Sequence, residues 1–135
     1  MPSRRMARET ALQALFSIDV GHREPSEVLD EYLAPHEDST HRLFVKDLVL
    51  GTLEHAIESD EFFSPFLQGW TVERLPTIDR LILRMAIFEI RYRSTTPRAV
   101  VINEAVELAK KFSTEDSGRY VNGVLSAVNK DYAQA

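Results

Sequence analysis

Apolar residues recur at three- and four-residue spacing along almost the whole chain, the periodicity of helices that each bury one face. The first stripe runs through Leu12, Leu15 and Phe16 to Asp19. It predicts a helix over about residues 4–20, closed by Gly21, a residue suited to a left-handed C-terminal position. Pro25 fits the first turn of a second helix with Val28, Leu29, Tyr32 and Leu33 inside, and Pro35 stops it. Ser39 or Thr40 is placed to cap a long third helix with Leu43, Phe44, Leu48, Leu50, Leu53 and Ile57 inward. Gly51 in its middle suits close approach by a neighbour. The stretch "DEFFSPFLQGW" predicts a brief helix interrupted at Pro65, with Trp70 anchoring its end.

The segment "TIDRLILRMAIFEIRYR" is apolar around most of its circumference, through Ile78, Leu81, Ile82, Leu83, Met85, Ala86, Ile87, Phe88 and Ile90. A helix of that kind is packed on several sides and forms the centre of its domain. In "AVVINEAVELAKKF" the inward positions are Ile102, Ala105, Val106, Ala109 and Phe112, with Lys110 and Lys111 at the end of the dipole that favours cations. A last helix over about residues 115–131 uses Tyr120, Val121, Val124, Leu125 and Val128. Sustained period-two alternation and internal repeats are absent from the sequence. The fold class expected is all-α, six or seven helices in one domain over residues 1–135.

Composition agrees with a folded globule: 135 residues, 44% hydrophobic and 27% charged, can bury a core without covalent staples. The absence of cysteine excludes disulfides, thiolate metal sites and cysteine nucleophiles. No apolar run approaches the roughly 20 residues of a membrane span, and no signal-peptide core is visible, so a cytoplasmic protein is expected. Charge changes the picture more. Residues 1–18 carry a balance of +2, residues 19–61 a balance of -9 and residues 62–135 a balance of +2, within a net charge of -5. An acidic body with basic patches leaves room for an anion-binding face.

Candidate catalytic chemistry is sparse. His22, His36, His41 and His55 lack the spacing of a helical zinc site and read as solvated side chains. No P-loop, GxGxxG or GxSxG occurs. The carboxylate pairs Asp60 with Glu61 and Glu115 with Asp116 read as helix-start acids that satisfy amides and the dipole. No cofactor or catalytic residue is expected.

Two stretches stand out. In "PSRRMARETALQALF", Arg4 and Arg8 share a helix face with Arg5 beside them, near free amides that also favour anions, a geometry suited to phosphate. The competing reading leaves them solvated or paired with Glu9. In "SGRYVNGVL", glycine inside a helical pattern costs about 1 kcal/mol relative to alanine. Either Gly123 admits a neighbouring helix while Asn122 bonds to its backbone, or Arg119, Tyr120 and Asn122 face RNA, offering charge and a stacking ring.

Taken with "LVLGTLEHAIESD", "IDRLILRMAIFEI" and "VINEAVELAKKFSTEDSGRYVNGVL", the opening "RRMARETALQALF" resembles the successive signatures of the NusB family of bacterial transcription antitermination factors, over essentially the whole chain. The resemblance implies an all-α fold of two packed helical bundles. It also implies a partner, the ribosomal protein NusE, with which such factors bind the boxA element of nascent RNA, notably ribosomal RNA. The assembly includes RNA polymerase and other Nus factors and keeps the polymerase from terminating. By the same resemblance, Arg4, Arg5 and Arg8 contact RNA, as does the stretch holding Asp116, Arg119 and Tyr120, with the acid tempering affinity. Phe16 and Asp79 match positions on the NusE-facing side, and Asn103 and Glu104 of "INEA" read as structural hydrogen-bonders. Some members of the family self-associate, so a homodimer stands beside the monomer.

Two rivals remain at this level. A similar helical domain opens certain ribosomal RNA cytosine methyltransferases, but this chain has no length for their cofactor-binding domain. The other rival is a helical protein–protein adaptor or self-associating bundle without RNA, which would expose Phe62, Phe63 and Phe66 as its interface.

Overall fold

The computed structural model describes residues 3–134. Among the described residues there are seven α-helices and no strand: α1 (Arg4–Gly21), α2 (Pro25–Tyr32), α3 (Ser39–Glu54), α4 (Ala56–Phe63), α5 (Thr77–Tyr92), α6 (Arg98–Phe112) and α7 (Glu115–Gln134). Two 3-10 turns, Ser64–Phe66 and Val72–Arg74, lie between α4 and α5. The helices fall into two compact units that meet in sequence between Glu54 and His55.

In the first unit α1 packs on α2 and α3. Half of the residues on its buried face are alanine, Ala7, Ala11 and Ala14, beside Leu12, Leu15 and Arg8, and α3 packs along α1 with Val45, Leu48 and Val49 buried. Phe16 is not part of that face and stands 39% exposed. The left-handed residue that ends α1 is His22, at φ 51 and ψ 44, whereas Gly21 completes the last helical turn. Pro25 occupies the start of α2 as expected, and Val28, Leu29 and Leu33 are buried.

The stripe expected on the third helix holds only in part: Leu48 is buried as expected and Phe44 and Leu53 are half-buried. Leu43, Leu50 and Ile57 are exposed, and the inward positions are His41, Val45, Leu48, Val49 and Thr52. The helix also stops sooner, at Glu54, so Ile57 belongs to α4. A segment with apolar residues on two faces offers more than one stripe at helical spacing, and packing against α1 selects one of them. Asp38 supplies the start, its carboxylate accepting from the Thr40 amide at 3.1 Å.

In the second unit α5 packs against α4, α6 and α7, and ten of its residues, from Asp79 to Ile90, are buried. Arg84 of α5 grips Asp60 of α4 through two hydrogen bonds of 2.7 Å, so Asp60 is an inter-helix clamp and not a helix-start acid. On α6 the inner face includes Val101 and Leu108, while Val106 and Phe112 are half-buried and Asn103 is exposed.

Two histidines depart from the solvated reading. His41 is 8% exposed. His55 stacks on Tyr92 at 4.2 Å between ring centroids, with Nδ1 at 3.5 Å from Glu58. A hydrogen bond from the Tyr92 hydroxyl, and secondarily the charge of Arg91, holds Glu58 below the usual carboxylate range. The adaptor interface is also dismantled: Phe63 is fully buried, and half-buried Phe62 lies edge-on to Tyr132 with the Arg91 guanidinium over its ring.

Candidate nucleic-acid interface

The basic tip is a defined structure. Ser3 caps α1, its hydroxyl accepting from the Met6 amide at 3.1 Å, so the helix starts at Arg4. The first turn contains no acid. Arg4 and Arg5 therefore add their charge to the positive end of the helix dipole, an arrangement that is locally unfavourable in isolation and that suits an anion arriving from outside.

The three arginines are not equivalent. Arg4 and Arg5 are exposed, whereas Arg8 is 4% exposed and lies on the buried side of α1. Phe44 of α3 joins two of them: the Arg4 guanidinium carbon sits 3.9 Å above the centre of its ring and that of Arg8 lies at 5.4 Å. The apolar spacing of the third helix alone places Phe44 in the core. A half-buried aromatic ring between arginines becomes recognisable only once α1 and α3 are packed.

The second unit gathers the remaining candidates at the start of α7. Thr114 opens this helix, its hydroxyl accepting from the Ser117 amide at 2.9 Å, and Glu115 and Asp116 occupy the first turn as expected. Arg119 is exposed and ion-paired with Asp116 on the helix surface. Asp79, at the start of α5, is only 3% exposed, and its Oδ2 accepts a hydrogen bond of 2.9 Å from the Ser117 hydroxyl.

Tyr120 lines two cavities. One, of about 280 Å³, also has Trp70, Leu75, Asp79, Asp116 and Ser117 in its wall. The other, of about 350 Å³, is lined also by Phe66, Gln68, Arg119, Gly123 and Ala127. The Tyr120 hydroxyl is buried without a hydrogen-bond partner, and burial first, then the charge of Asp79, pushes its pKa above the ordinary tyrosine value. Trp70 is 48% exposed at the rim of the first cavity, so it does not anchor the segment as the sequence suggested.

On α7 the close-approach glycine is not the one expected. A Cβ at Gly123 meets nothing within 4 Å, and the missing side chain opens the larger cavity. At Gly118 a Cβ would lie 2.8 Å from Cγ of Lys110 and 3.6 Å from the Val106 carbonyl oxygen, so this is where α6 and α7 come together. Asn122 is exposed and accepts from the Ser126 hydroxyl at 3.4 Å on its own helix, not from a neighbour's backbone.

Arg4 and Arg8 are thus brought together over one ring, and separately Asp79, Asp116 and Tyr120 round one cavity. Phe16 is an exposed aromatic residue on α1. Among the described residues no group of acids and histidines could hold a metal ion, and no helix is long and apolar enough to cross a membrane.

The chain matches the model of the NusB family over residues 5–130. It is 48% identical over 125 residues to the transcription antitermination protein NusB of Geobacillus kaustophilus, covering 93% of this chain and 94% of that one. It is 43% identical over 130 residues to the NusB of Halalkalibacterium halodurans, covering 96% of both. The fold is similar to that of T. maritima NusB, with a TM-score of 0.88 and 32% identity over 95% of this chain and 91% of the other. It is similar also to a chain in a crystal structure of the antitermination factors NusB and NusE with double-stranded RNA, with a TM-score of 0.86 and 29% identity over 96% and 97%. Seven helices in this order and a family match over nearly their full extent lead to one conclusion: the chain belongs to the NusB family.

Proposed function

We propose that this protein is a transcription antitermination factor that binds boxA-type RNA in nascent transcripts, notably ribosomal RNA, together with ribosomal protein NusE. In that role it supports processive elongation by RNA polymerase with the other Nus factors, acts in the cytoplasm as one domain over residues 1–135, and performs no chemistry of its own. The observation that carries the reading is the capped first turn of α1, a turn that holds no acidic residue and exposes Arg4 and Arg5, in a chain of net charge -5. A small cationic footprint on an acidic body binds phosphate locally and limits indiscriminate attachment to nucleic acid.

The roles follow the chemistry. Arg4 and Arg5 contact phosphate through their guanidinium edges, and Arg8 adds charge beneath them. Arg119 and Tyr120 offer a cation and an aromatic ring to an unpaired base, and Asp116, by pairing with Arg119, restrains that contact. Phe16 serves the NusE side as an exposed apolar contact, whereas Asp79, buried and bonded to the Ser117 hydroxyl, holds the start of α5 and offers no surface to a partner.

Fluorescence anisotropy of a labelled boxA-type RNA tests the reading, titrated with the protein alone and then with equimolar NusE, at two salt concentrations. Tighter, sequence-selective binding with NusE is the expected result. Binding no better than to a scrambled RNA in both titrations would overturn it.

A further inference from the structure

The three arginines of α1 would be expected to splay apart, since like charges repel and a first helical turn is held by few hydrogen bonds. Two of them nevertheless converge on one side chain from a different helix. The Arg4 guanidinium carbon is 3.9 Å from the centre of the Phe44 ring, that of Arg8 is 5.4 Å from it, and Phe44 is half-buried on α3, which packs along α1.

We propose that Phe44 is a positioning residue for RNA binding, a platform that holds the Arg4 guanidinium beside that of Arg8 in a geometry ready for phosphate. The inference rests on the RNA-binding reading above. Its physical basis is how a guanidinium spends its donors. Paired with a carboxylate, an arginine uses its N–H edge and loses net charge. Stacked on an aromatic face, it is held through its π-surface and keeps the five N–H groups in its plane available, at full charge. The ring's negative face also draws in a cation that the helix dipole at this end disfavours. An anion then meets a group already in place, without the entropic loss of ordering a long side chain on arrival.

A double-mutant cycle tests this, with boxA-type RNA and equimolar NusE as the probe and anisotropy as the readout. Phe44→Leu removes the π-face and keeps apolar bulk, Phe44→Tyr keeps the ring, and Arg4→Met removes the cation. Phe44→Leu is expected to weaken binding about two- to fivefold, the range that an exposed cation–π contact corresponds to. Phe44→Tyr should bind as the parent does, and in the Arg4→Met background Phe44→Leu should cost much less. Should Phe44→Leu prove unfolded by circular dichroism, Phe44→Met takes its place in the same cycle.

Equal affinity of the parent and the ringless variant overturns the inference. So do losses from Phe44 and Arg4 that simply add, which would make Phe44 a packing residue only. An unaltered protein that does not distinguish boxA from scrambled RNA removes the RNA-binding reading and this inference with it. An unaltered protein that binds, with additive losses in the cycle, removes this inference alone.

Discussion

Ser117 donates a hydrogen bond of 2.9 Å to Oδ2 of Asp79, tying the first turn of α7 to the start of α5, while Oδ1 of the same carboxylate is buried without a partner. The negative charge held there is the second cause, after burial, of the raised pKa of Tyr120. Asp79→Asn removes only that second cause. Tyr120 should then ionise at lower pH than in the parent, though still above its ordinary 10.0, because burial persists. Ultraviolet difference titration, with Tyr120→Phe identifying the signal, checks this, and an unmoved midpoint would contradict the arrangement. The linkage to stability has a definite sign. A folded-state value above the unfolded 10.0 contributes stability that is whole below pH 10.0 and fades as pH rises through the folded value, so Tyr120→Phe should flatten the alkaline limb.

Gly118 and Gly123 lie on the same helix and should respond oppositely to alanine. At Gly123 a Cβ meets nothing within 4 Å, so Gly123→Ala should stabilise by up to about 1 kcal/mol through helix propensity alone. At Gly118 the new Cβ would lie 2.8 Å from Lys110 Cγ, near the root of that side chain, where tip flexibility gives no relief. Displacing Lys110 from its rotamer costs about 0.5–1.5 kcal/mol, which offsets the helical gain, so Gly118→Ala should be no more stable than the parent. Urea denaturation of the two variants decides it. A Gly118→Ala variant stabilised as much as Gly123→Ala would mean that α6 gives way freely.

Those two glycines mark how much of the molecule the sequence shows. Helical periodicity and its punctuation by Pro25, Pro35 and Pro65 placed the elements, because each depends on neighbours within a few residues in the chain. The resemblance likewise reached the whole fold, since its motifs span every helix but α2. Local spacing does not determine the partners that are distant in sequence. Leu43 and Leu50 fit a helical stripe as well as Val45 and Val49 do, and only the packing of α1 distinguishes the two. Arg8 looked like a surface cation but is buried, and Phe44 looked like core but carries two guanidiniums. Spacing along one helix gives the angle of a side chain, not what stands opposite it.

Asp60 and Arg84 form the clearest long-range polar contact of the second unit, with two parallel hydrogen bonds of 2.7 Å and side chains only 20% and 19% exposed. That geometry separates the pair from surface ion pairs, which contribute little. Asp60→Asn should lower unfolding free energy by about 1–3 kcal/mol, because one member of a charge-assisted fork is lost and Arg84 remains half-buried. Arg84→Lys should recover little, since an ammonium cannot address both carboxylate oxygens in a plane. Chemical denaturation reads both. A loss below about 0.5 kcal/mol for Asp60→Asn would return the pair to the surface class.

Arg5 and Arg8 carry the same charge three residues apart, yet burial assigns them different consequences. Arg5 is exposed in the first turn of α1, and Arg8 is 4% exposed against the body of its unit. Arg5→Gln should leave the melting temperature in place, weaken binding to boxA-type RNA, and reduce the slope of log K against log salt by about 0.7, the value for one phosphate on a single strand. Arg8→Gln should instead lower stability by about 1–3 kcal/mol, since a buried charged group and its surroundings lose their pairing, and it should change the salt slope far less. Thermal melts and salt-dependent anisotropy on the same two variants separate the effects. If Arg8→Gln removes a full phosphate's worth of slope without affecting the melt, Arg8 reaches the RNA directly. The basic tip would then consist of three contacting arginines, not two contacts above a buried third.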